Sequence, residues 1–338
     1  MTDDRRIAGG AVAPPPIPTS EAAPQPSPFT SEAAVAGTSP AGIDAAYESG
    51  LELVARSQWW YARHRFMRHR LAMGSALVLV AVFIVGAIAH SIAPYGRDAL
   101  DLTALGQKPS LHHLFGTDAL GRDYFSRSLY GIQTTEKISL LVAVLSTAIG
   151  IFVGAAAGYY GGWLDNVLMR LTDLFLVVPA LAVLLVASKY LGHGSAYRIA
   201  FILAFLFWTV IARIVRGIYL SLKEKEYVEA AKASGSGDMR IIFRHILPNT
   251  LGPIVVSATL LTATAILTEA TISFLGFGIQ PPIPSLGNLI SDGQQAGLSQ
   301  WWLVTFPGLL IVIIVLCINF IGDGLRDALD PTQRRVRA

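Results

Sequence analysis

Six long apolar runs constrain this chain of 338 residues more than any other feature. Each has about the ~20 residues that a helix needs to cross the hydrocarbon core of a bilayer. A buried helix of a soluble protein could match one such run but not six, and charged residues make up only 14% of the chain, against about 25% in soluble domains. The sequence therefore predicts an all-α membrane protein with six transmembrane helices, at residues 71–93, 138–160, 171–191, 197–215, 251–274 and 302–322.

The distribution of Lys and Arg predicts the orientation of these helices. With the N-terminus in the cytoplasm, most of the 26 Lys and Arg residues lie on the cytoplasmic side, as the positive-inside rule requires. Both termini are therefore predicted to be cytoplasmic. Residues 94–137 and 275–301 then form outer loops, and residues 216–250 form a polar cytoplasmic loop. The net charge of +3 gives no indication of nucleic-acid binding.

The segments outside residues 71–322 have a different composition. Residues 1–50 hold eight of the 18 prolines and show no apolar period, which predicts a disordered cytoplasmic tail. Residues 51–70 combine Leu, Trp and Tyr with five Arg, which predicts a basic amphipathic helix that lies at the membrane surface and contacts lipids. Residues 323–338 are predicted to form a cytoplasmic C-terminal tail.

The cytoplasmic loop contains the residues of two short helices. Residues 226–233 favour a helix, and Gly235 can provide a sharp bend because glycine readily adopts positive φ. Asp238 is predicted to be the N-cap of a second helix over 239–246, and Pro248 is predicted to end it. The loop is therefore either a helix–turn–helix element that docks on a partner or a solvated connector.

The spacing of residues in this loop is similar to that of a known family. Glu229-Ala230-Ala231, then Gly235, then His245 to Pro248 resemble the EAA loop of ABC importer permeases. In that family the loop forms a coupling helix that sits in a cleft of the ATPase subunit. The resemblance implies that the ATPase-coupling residues are Glu229, Ala230, Ala231, Gly235, His245 and Pro248.

A second motif lies just before the second apolar run. Its Asp and Arg side chains can form ion pairs that hold the outer loop against the bundle; contact with substrate or with a binding protein is the alternative. The motif resembles the signature of peptide and nickel permeases, and its residues are Gly116, Asp118, Gly121, Arg122, Asp123 and Arg127. Residues 273–287 and 322–331 resemble the C-type subunit of dipeptide and oligopeptide permeases.

The resemblance covers about residues 60–335 and implies the type I ABC importer permease fold. It implies a non-catalytic permease subunit in the inner membrane of a bacterial cell. The partners that it implies are a homologous permease in a heterodimer, two ATPase subunits and an extracellular solute-binding protein. The cargo is a dipeptide or an oligopeptide; nickel or another small solute is the alternative, followed by a stand-alone secondary transporter.

Catalytic and metal-binding motifs are missing from the sequence. No Gly-Lys pair occurs, so the chain has no P-loop, and ATP and Mg are expected on the partner subunits. The chain itself is expected to bind no cofactor. Cys317, the single cysteine, excludes an intramolecular disulfide and a cysteine metal cluster. The adjacent His112 and His113 lack a third ligand at helical spacing, which favours surface residues over a metal site.

One acidic residue, Glu269, lies well inside an apolar run. A carboxylate at membrane depth is costly, so it must face protein, water or a partner. Two hypotheses follow. Glu269 either lines the translocation path, where it could meet the amino group of a peptide, or makes a structural hydrogen bond within the subunit or to the partner permease.

Overall fold

A computed structural model describes residues 58–191 and 195–329. The predicted tail over residues 1–50 and the last residues of the chain lie outside this part. The described residues form a bundle of α-helices that contains no β-strand. The helices are α1 (Gln58–Arg68), α2 (Arg70–Ala87), α3 (Ala89–Ile92), α4 (Tyr124–Tyr160), α5 (Gly162–Val177), α6 (Ala180–Leu191), α7 (Ala196–Leu222), α8 (Glu226–Ala233), α9 (Asp238–Phe274), α10 (Leu286–Gln295) and α11 (Trp302–Leu329).

Within the described residues, five helices are long and apolar enough to cross a membrane: α2, α4, α7, α9 and α11. The sixth candidate is the pair α5 and α6, which meet at an angle of 81°. The third predicted run, residues 171–191, is therefore not one straight helix. The break falls at Val178, which is extended, and Pro179. Proline lacks an N–H donor and disfavours helical geometry in the residue before it, so the helix ends there.

The second membrane helix is longer than its apolar run. It begins at Tyr124 rather than at residue 138, because the Asp123 side chain caps it by accepting a hydrogen bond from the Ser126 N–H at 2.7 Å. At 1.5 Å per residue, α4 is ~55 Å long, well beyond the ~30 Å hydrocarbon core. Its first turns pack against α10 and the residues before α4.

Three glycines on α4 allow its most extensive contact, which is with α7. Gly150, Gly154 and Gly158 recur at every fourth position and therefore share one face. A Cβ atom on Gly150 would lie 2.6 Å from Cβ of Ile211, and one on Gly158 would lie 2.6 Å from Cβ of Tyr219. The two backbones approach this closely only because these positions have no side chain.

The N-terminal and C-terminal helices pack on one another. The predicted helix over residues 51–70 corresponds to α1, which ends before His69; residues before 58 lie outside the described part. The side chain of His69 then caps α2 by accepting a hydrogen bond from the Ala72 N–H at 3.1 Å. Helix α11 continues to Leu329, past the predicted end at residue 322, so the first part of the predicted C-terminal tail is helical.

Each end of the bundle has its own core. At one end, which we call the α8 end, buried side chains of α8 pack on α7 and on the start of α9. At the opposite end, which we call the 94–123 end, residues between α3 and α4 pack with α10 and the start of α11. The buried aromatic residues Tyr124 and Trp302 lie in this second core.

Candidate functional site

Helix α8 presents the Glu-Ala-Ala motif at the α8 end of the bundle. The helix begins after Lys225, whose backbone is extended. Val228 and Ala231 are buried against the core of this end, whereas Glu229 and Ala230 are exposed. Residue 231 of the motif therefore attaches the helix to the bundle, and residues 229 and 230 face away from it.

Gly235 ends α8 in a left-handed conformation, with φ of 77°. Its N–H donates to the Lys232 carbonyl at 2.9 Å, and the N–H of Ser236 donates to the Ala231 carbonyl at 3.1 Å. This pair of bonds is a Schellman motif, which satisfies the free carbonyls of a helix end. A Cβ atom on Gly235 would meet no atom of the described residues within 4 Å. The backbone angle, rather than a lack of space, therefore favours glycine here.

The helix that follows begins differently from the prediction. Gly237, not Asp238, is the N-cap, and Asp238 is the first helical residue. There its negative charge interacts favourably with the positive end of the helix dipole. Its carboxylate also accepts a hydrogen bond from the Tyr159 hydroxyl at 2.7 Å. The ammonium group of Lys232 lies 5.9 Å from the centre of the Tyr159 ring. The sequence analysis missed Tyr159, which joins the end of α4 to the loop; only the fold brings these distant residues together.

The predicted helix over 239–246 does not end before Pro248. These residues are the first part of α9, which continues past Pro248 to Phe274, and residues Ile241–Ile246 form a π-helical turn within it. A proline ring needs space in the turn that precedes it, and the wider π turn provides that space. Proline also leaves carbonyl groups without a donor. The side chain of Asn249 donates to the His245 carbonyl at 2.8 Å.

The motif at the 94–123 end is organised around the carboxylate of Asp118. It accepts hydrogen bonds from the N–H groups of Leu120 and Arg122, both at 2.9 Å. It also receives the guanidinium groups of Arg122 at 2.6 Å and Arg127 at 3.2 Å. The predicted Asp–Arg pairs are thus present in the structure.

The two glycines of this motif permit close approach of neighbouring groups. Gly116 and Gly121 have φ of 73° and 77°. A Cβ atom on Gly116 would lie 2.7 Å from the indole nitrogen of Trp302, and one on Gly121 would meet the carbonyl oxygen of Asp101. Both positions therefore lack room for a side chain.

Asp292 on α10 completes the ion-pair network, and the sequence analysis missed it. Its carboxylate lies 3.4 Å from Arg127 and 3.8 Å from Arg122. The side chain of Arg127 is only 2% exposed, so an unpaired charge there would be costly. Two carboxylates balance two guanidinium groups, and the network joins the loop to α10. In the sequence, this role was indicated only by the position of Asp292 as the single acidic residue of the loop 275–301, which has no Lys or Arg.

Asp123 and His113 form a buried pair beside this network. Nδ1 of His113 lies 2.9 Å from the Asp123 carboxylate, and His113 is 4% exposed. The prediction of a surface residue was therefore wrong for His113. Among the described residues, no group of three or more His, Cys, Asp or Glu side chains could hold a metal ion.

Glu269 is buried on α9 and surrounded by hydroxyl groups. It is 1% exposed. The Ser273 hydroxyl donates to its carboxylate at 2.7 Å and the Thr135 hydroxyl at 3.5 Å. Ser273 lies on α9 and Thr135 on α4. The carboxylate therefore joins these two helices near the 94–123 end.

Glu136 is a second buried carboxylate that the sequence analysis missed, because the predicted run began at residue 138. It is 9% exposed and packs against Gly86 of α2, where a Cβ atom would overlap its carboxylate oxygens. Its Oε1 atom has no hydrogen-bond partner in the described residues. Glu136 lies inside the bundle because α4 begins at Tyr124. The apolar pattern of the sequence does not indicate this early start.

Comparison with protein families gives two matches. Residues 146–335 match the family described as binding-protein-dependent transport system inner membrane component. Residues 57–109 match the N-terminal transmembrane domain of oligopeptide transport permease C. The first match includes α8, Gly235 and Glu269.

Individual relatives are similar over most of their length. The oligopeptide transport system permease protein OppC of Mycobacterium tuberculosis is 42% identical over 81% of this chain and 94% of its own length. A putative peptide transport system permease protein of Brucella abortus is 44% identical over 79% and 90%. A solved structure of the inward-facing MetNI methionine ABC transporter is 22% identical, with a TM-score of 0.48, over 59% of this chain and 94% of that chain.

Proposed function

The chain belongs to the family of binding-protein-dependent transport system inner membrane components, and we propose that it is the permease subunit of an ATP-driven importer of oligopeptides. The cargo is inferred from the relatives, which are named as oligopeptide or peptide permeases. The observation that carries the coupling role is α8, a short helix outside the membrane-length helices that exposes Glu229 and Ala230.

The proposed orientation places the α8 end in the cytoplasm and the 94–123 end outside the inner membrane of a bacterial cell. The excess of Lys and Arg on the cytoplasmic side supports it. The subunit pairs with a homologous permease. Two ATPase subunits, which hold ATP and Mg, bind at the α8 end, and an extracellular solute-binding protein delivers cargo at the other.

Coupling in this proposal runs through the contacts of α8. Movement of an ATPase subunit displaces α8, which is joined to the core of this end by Val228 and Ala231. The hydrogen bond between Tyr159 and Asp238 then links α4 to α9. Glu229 supplies a carboxylate that an Arg of the ATPase can bind in a bidentate manner. His245 and Pro248 act by shaping the start of α9 rather than by direct contact.

Reconstitution of the complete transporter in liposomes tests this function. We expect ATP-dependent uptake of labelled oligopeptides when the binding protein is supplied, and none when ATP is replaced by a non-hydrolysable analogue. Nickel and free amino acids are tested in parallel. Uptake driven by a proton or sodium gradient without ATPase subunits would instead support a secondary transporter.

Glu269 gives a specific prediction within this function. We propose a structural role, because two hydroxyl groups of the same subunit bind its carboxylate. Glu269→Gln keeps a carbonyl acceptor of similar size, so we expect peptide uptake to fall by less than about threefold, equivalent to ~0.7 kcal/mol. Glu269→Leu leaves the hydroxyl groups of Ser273 and Thr135 without this acceptor, at a cost of about 1–3 kcal/mol each, and should reduce the yield of assembled complex.

The measurement is uptake per assembled complex together with the yield of complex. If Glu269→Gln assembled normally but transported as poorly as Glu269→Leu, the negative charge itself would be required. Glu269 would then act in the translocation path.

A further inference from the structure

A small cavity opens at the 94–123 end, between the early part of α4 and the start of α7. Its volume is about 210 Å³. Arg97, Gln133, Lys137 and Tyr197 provide polar groups, while residues such as Ile138 provide an apolar wall. The cavity belongs neither to the ion-pair network around Asp118 nor to the surroundings of Glu269.

The lining of this cavity contains a lysine, Lys137, that makes no ion pair within the described residues. It contains two basic residues and, among the described residues, no acidic one. Lys137 is exposed and has no hydrogen bond or ion pair within the described part of the chain. Two carboxylates lie nearby. Asp98 binds Arg97 at 3.0 Å on the surface, and Glu136 attracts Lys137 but has its carboxylate packed against Gly86. Lys137 therefore keeps its donors available to a ligand in the cavity.

A second cavity at this end also contains charged residues, but their side chains already bind other protein groups. It has a volume of about 490 Å³ and is lined by Asp101, Asp123 and His113. Its charged groups already bind protein atoms, because Asp123 binds His113 and Asp101 accepts two hydrogen bonds from Thr103. Those hydrogen bonds hold the pKa of Asp101 below its usual value. This larger cavity offers few free groups to a ligand.

We propose that the cavity around Lys137 binds the terminal carboxylate of the peptide as it enters the permease. A carboxylate accepts charge-assisted hydrogen bonds from Lys and Arg, and Gln133 and Tyr197 can donate further bonds. The apolar wall suits the last side chain of the peptide. A divalent cation such as nickel would be repelled. This inference depends on the proposed function, because it assumes that the cargo is a peptide.

A peptide carboxylate fits the cavity better than an acidic side chain on the surface of the binding protein. The cavity is a recess of about 210 Å³ formed mainly by residues of α4 and α7, of which Ile138 and Ala200 are buried. The carboxylate at the end of a flexible peptide can enter this recess without a second folded surface having to fit around its rim. Ile138 in the lining is also the first residue of the apolar run of α4. The cavity therefore lies where this helix would enter the membrane, as expected for the entrance to a translocation path.

The test compares one peptide with its C-terminal amide in liposomes that contain the complete transporter. Both peptides are loaded to saturation on the binding protein, and direct titration verifies that each is bound. Wild-type protein should take up the free acid about tenfold faster than the amide, equivalent to ~1.4 kcal/mol. Lys137→Gln should slow uptake of the acid to the rate of the amide and leave the amide unaffected. Lys137→Arg should retain most of the preference.

Lys108→Gln is the matched control, because Lys108 is an exposed lysine at the same end but outside the cavity. It should behave as wild type. Lys137→Gln could instead reduce uptake of the acid and the amide equally, or wild type could take up both at the same rate. Either result would overturn the carboxylate site but not the proposed importer function. Weaker docking of the empty binding protein on Lys137→Gln would assign the site to that protein instead. Absence of any peptide uptake by wild type would overturn both proposals.

Discussion

Replacement of Gly154 by leucine is expected to prevent α4 from packing on α7 and to abolish the stable subunit. A Cβ atom at residue 154 would overlap the carbonyl oxygen of Ala212 and would lie 2.7 Å from Cβ of Val215. The carbonyl is part of a helix backbone and cannot rotate away, so the helices must separate. Overpacking of a core typically costs about 1–3 kcal/mol, and we expect the upper end of that range or more here.

The measurement is the yield of monodisperse complex in detergent and its midpoint of thermal unfolding. Gly154→Ala should give an intermediate result because it adds only the Cβ atom. Gly217→Leu is the matched control: Gly217 lies on α7 itself, and a Cβ there meets no described atom within 4 Å. A normal yield and normal thermal stability of Gly154→Leu would show that the α4–α7 contact differs from the one described.

The second large effect is expected from Gly235→Val. Valine is strongly disfavoured at a φ of 77°, and such strain costs about 1–3 kcal/mol. The new side chain meets no atom, so the strain is relieved by a change in the turn, which breaks the Schellman hydrogen bonds and moves α8. We expect the membrane helices to assemble normally, while association of the ATPase subunits falls at least about tenfold, equivalent to ~1.4 kcal/mol.

The measurement is co-purification of the ATPase subunits, followed by ATP turnover with and without loaded binding protein. Gly235→Asn should be mild, because asparagine tolerates positive φ. Gly237→Val should also be milder, because Gly237 has an extended backbone that valine adopts readily. Glu229→Ala should give a weaker defect than Gly235→Val. If Gly235→Val retained normal association and normal stimulated turnover, α8 would not be the coupling element.

Features that depend on local sequence were predicted well. The apolar runs identified five of the membrane helices, because a helix in lipid must be apolar along its length; the run at 171–191 instead falls on the bent pair α5 and α6. The bend at Gly235 was also predicted, since positive φ is a property of one residue. The ion pairs of Asp118 with Arg122 and Arg127 lie within one short segment, so their spacing alone was informative.

Features that depend on contacts between distant residues were not predicted. Asp292 is far in sequence from Arg127, and only the fold brings them together. The glycine face around Gly154 was overlooked because an apolar run of this kind tolerates glycine anywhere. The polar first turns of α4 were assigned to a loop because they pack on α10 rather than on lipid, and Glu136 was missed with them.

Pro248 shows how tertiary context changes the meaning of a local signal. Proline inside a helix usually breaks or kinks it, and the prediction followed that rule. The π turn before Pro248 accommodates the ring, and Asn249 supplies a donor to one of the carbonyls. The same residue type at Pro179 does break the helix. The difference lies in the turn that precedes each proline.

Because the π turn carries α9 past Pro248, one helix extends from the loop at Asp238 to Phe274, near Glu269. The helix has 37 residues and is ~55 Å long, so a rotation of about 5° about one end would displace the other end by ~5 Å. In the proposed transporter, a small displacement of α8 would then produce a larger displacement at the opposite end of α9. Rotation of one such helix would open the translocation path on one side of the membrane and close it on the other at the same time.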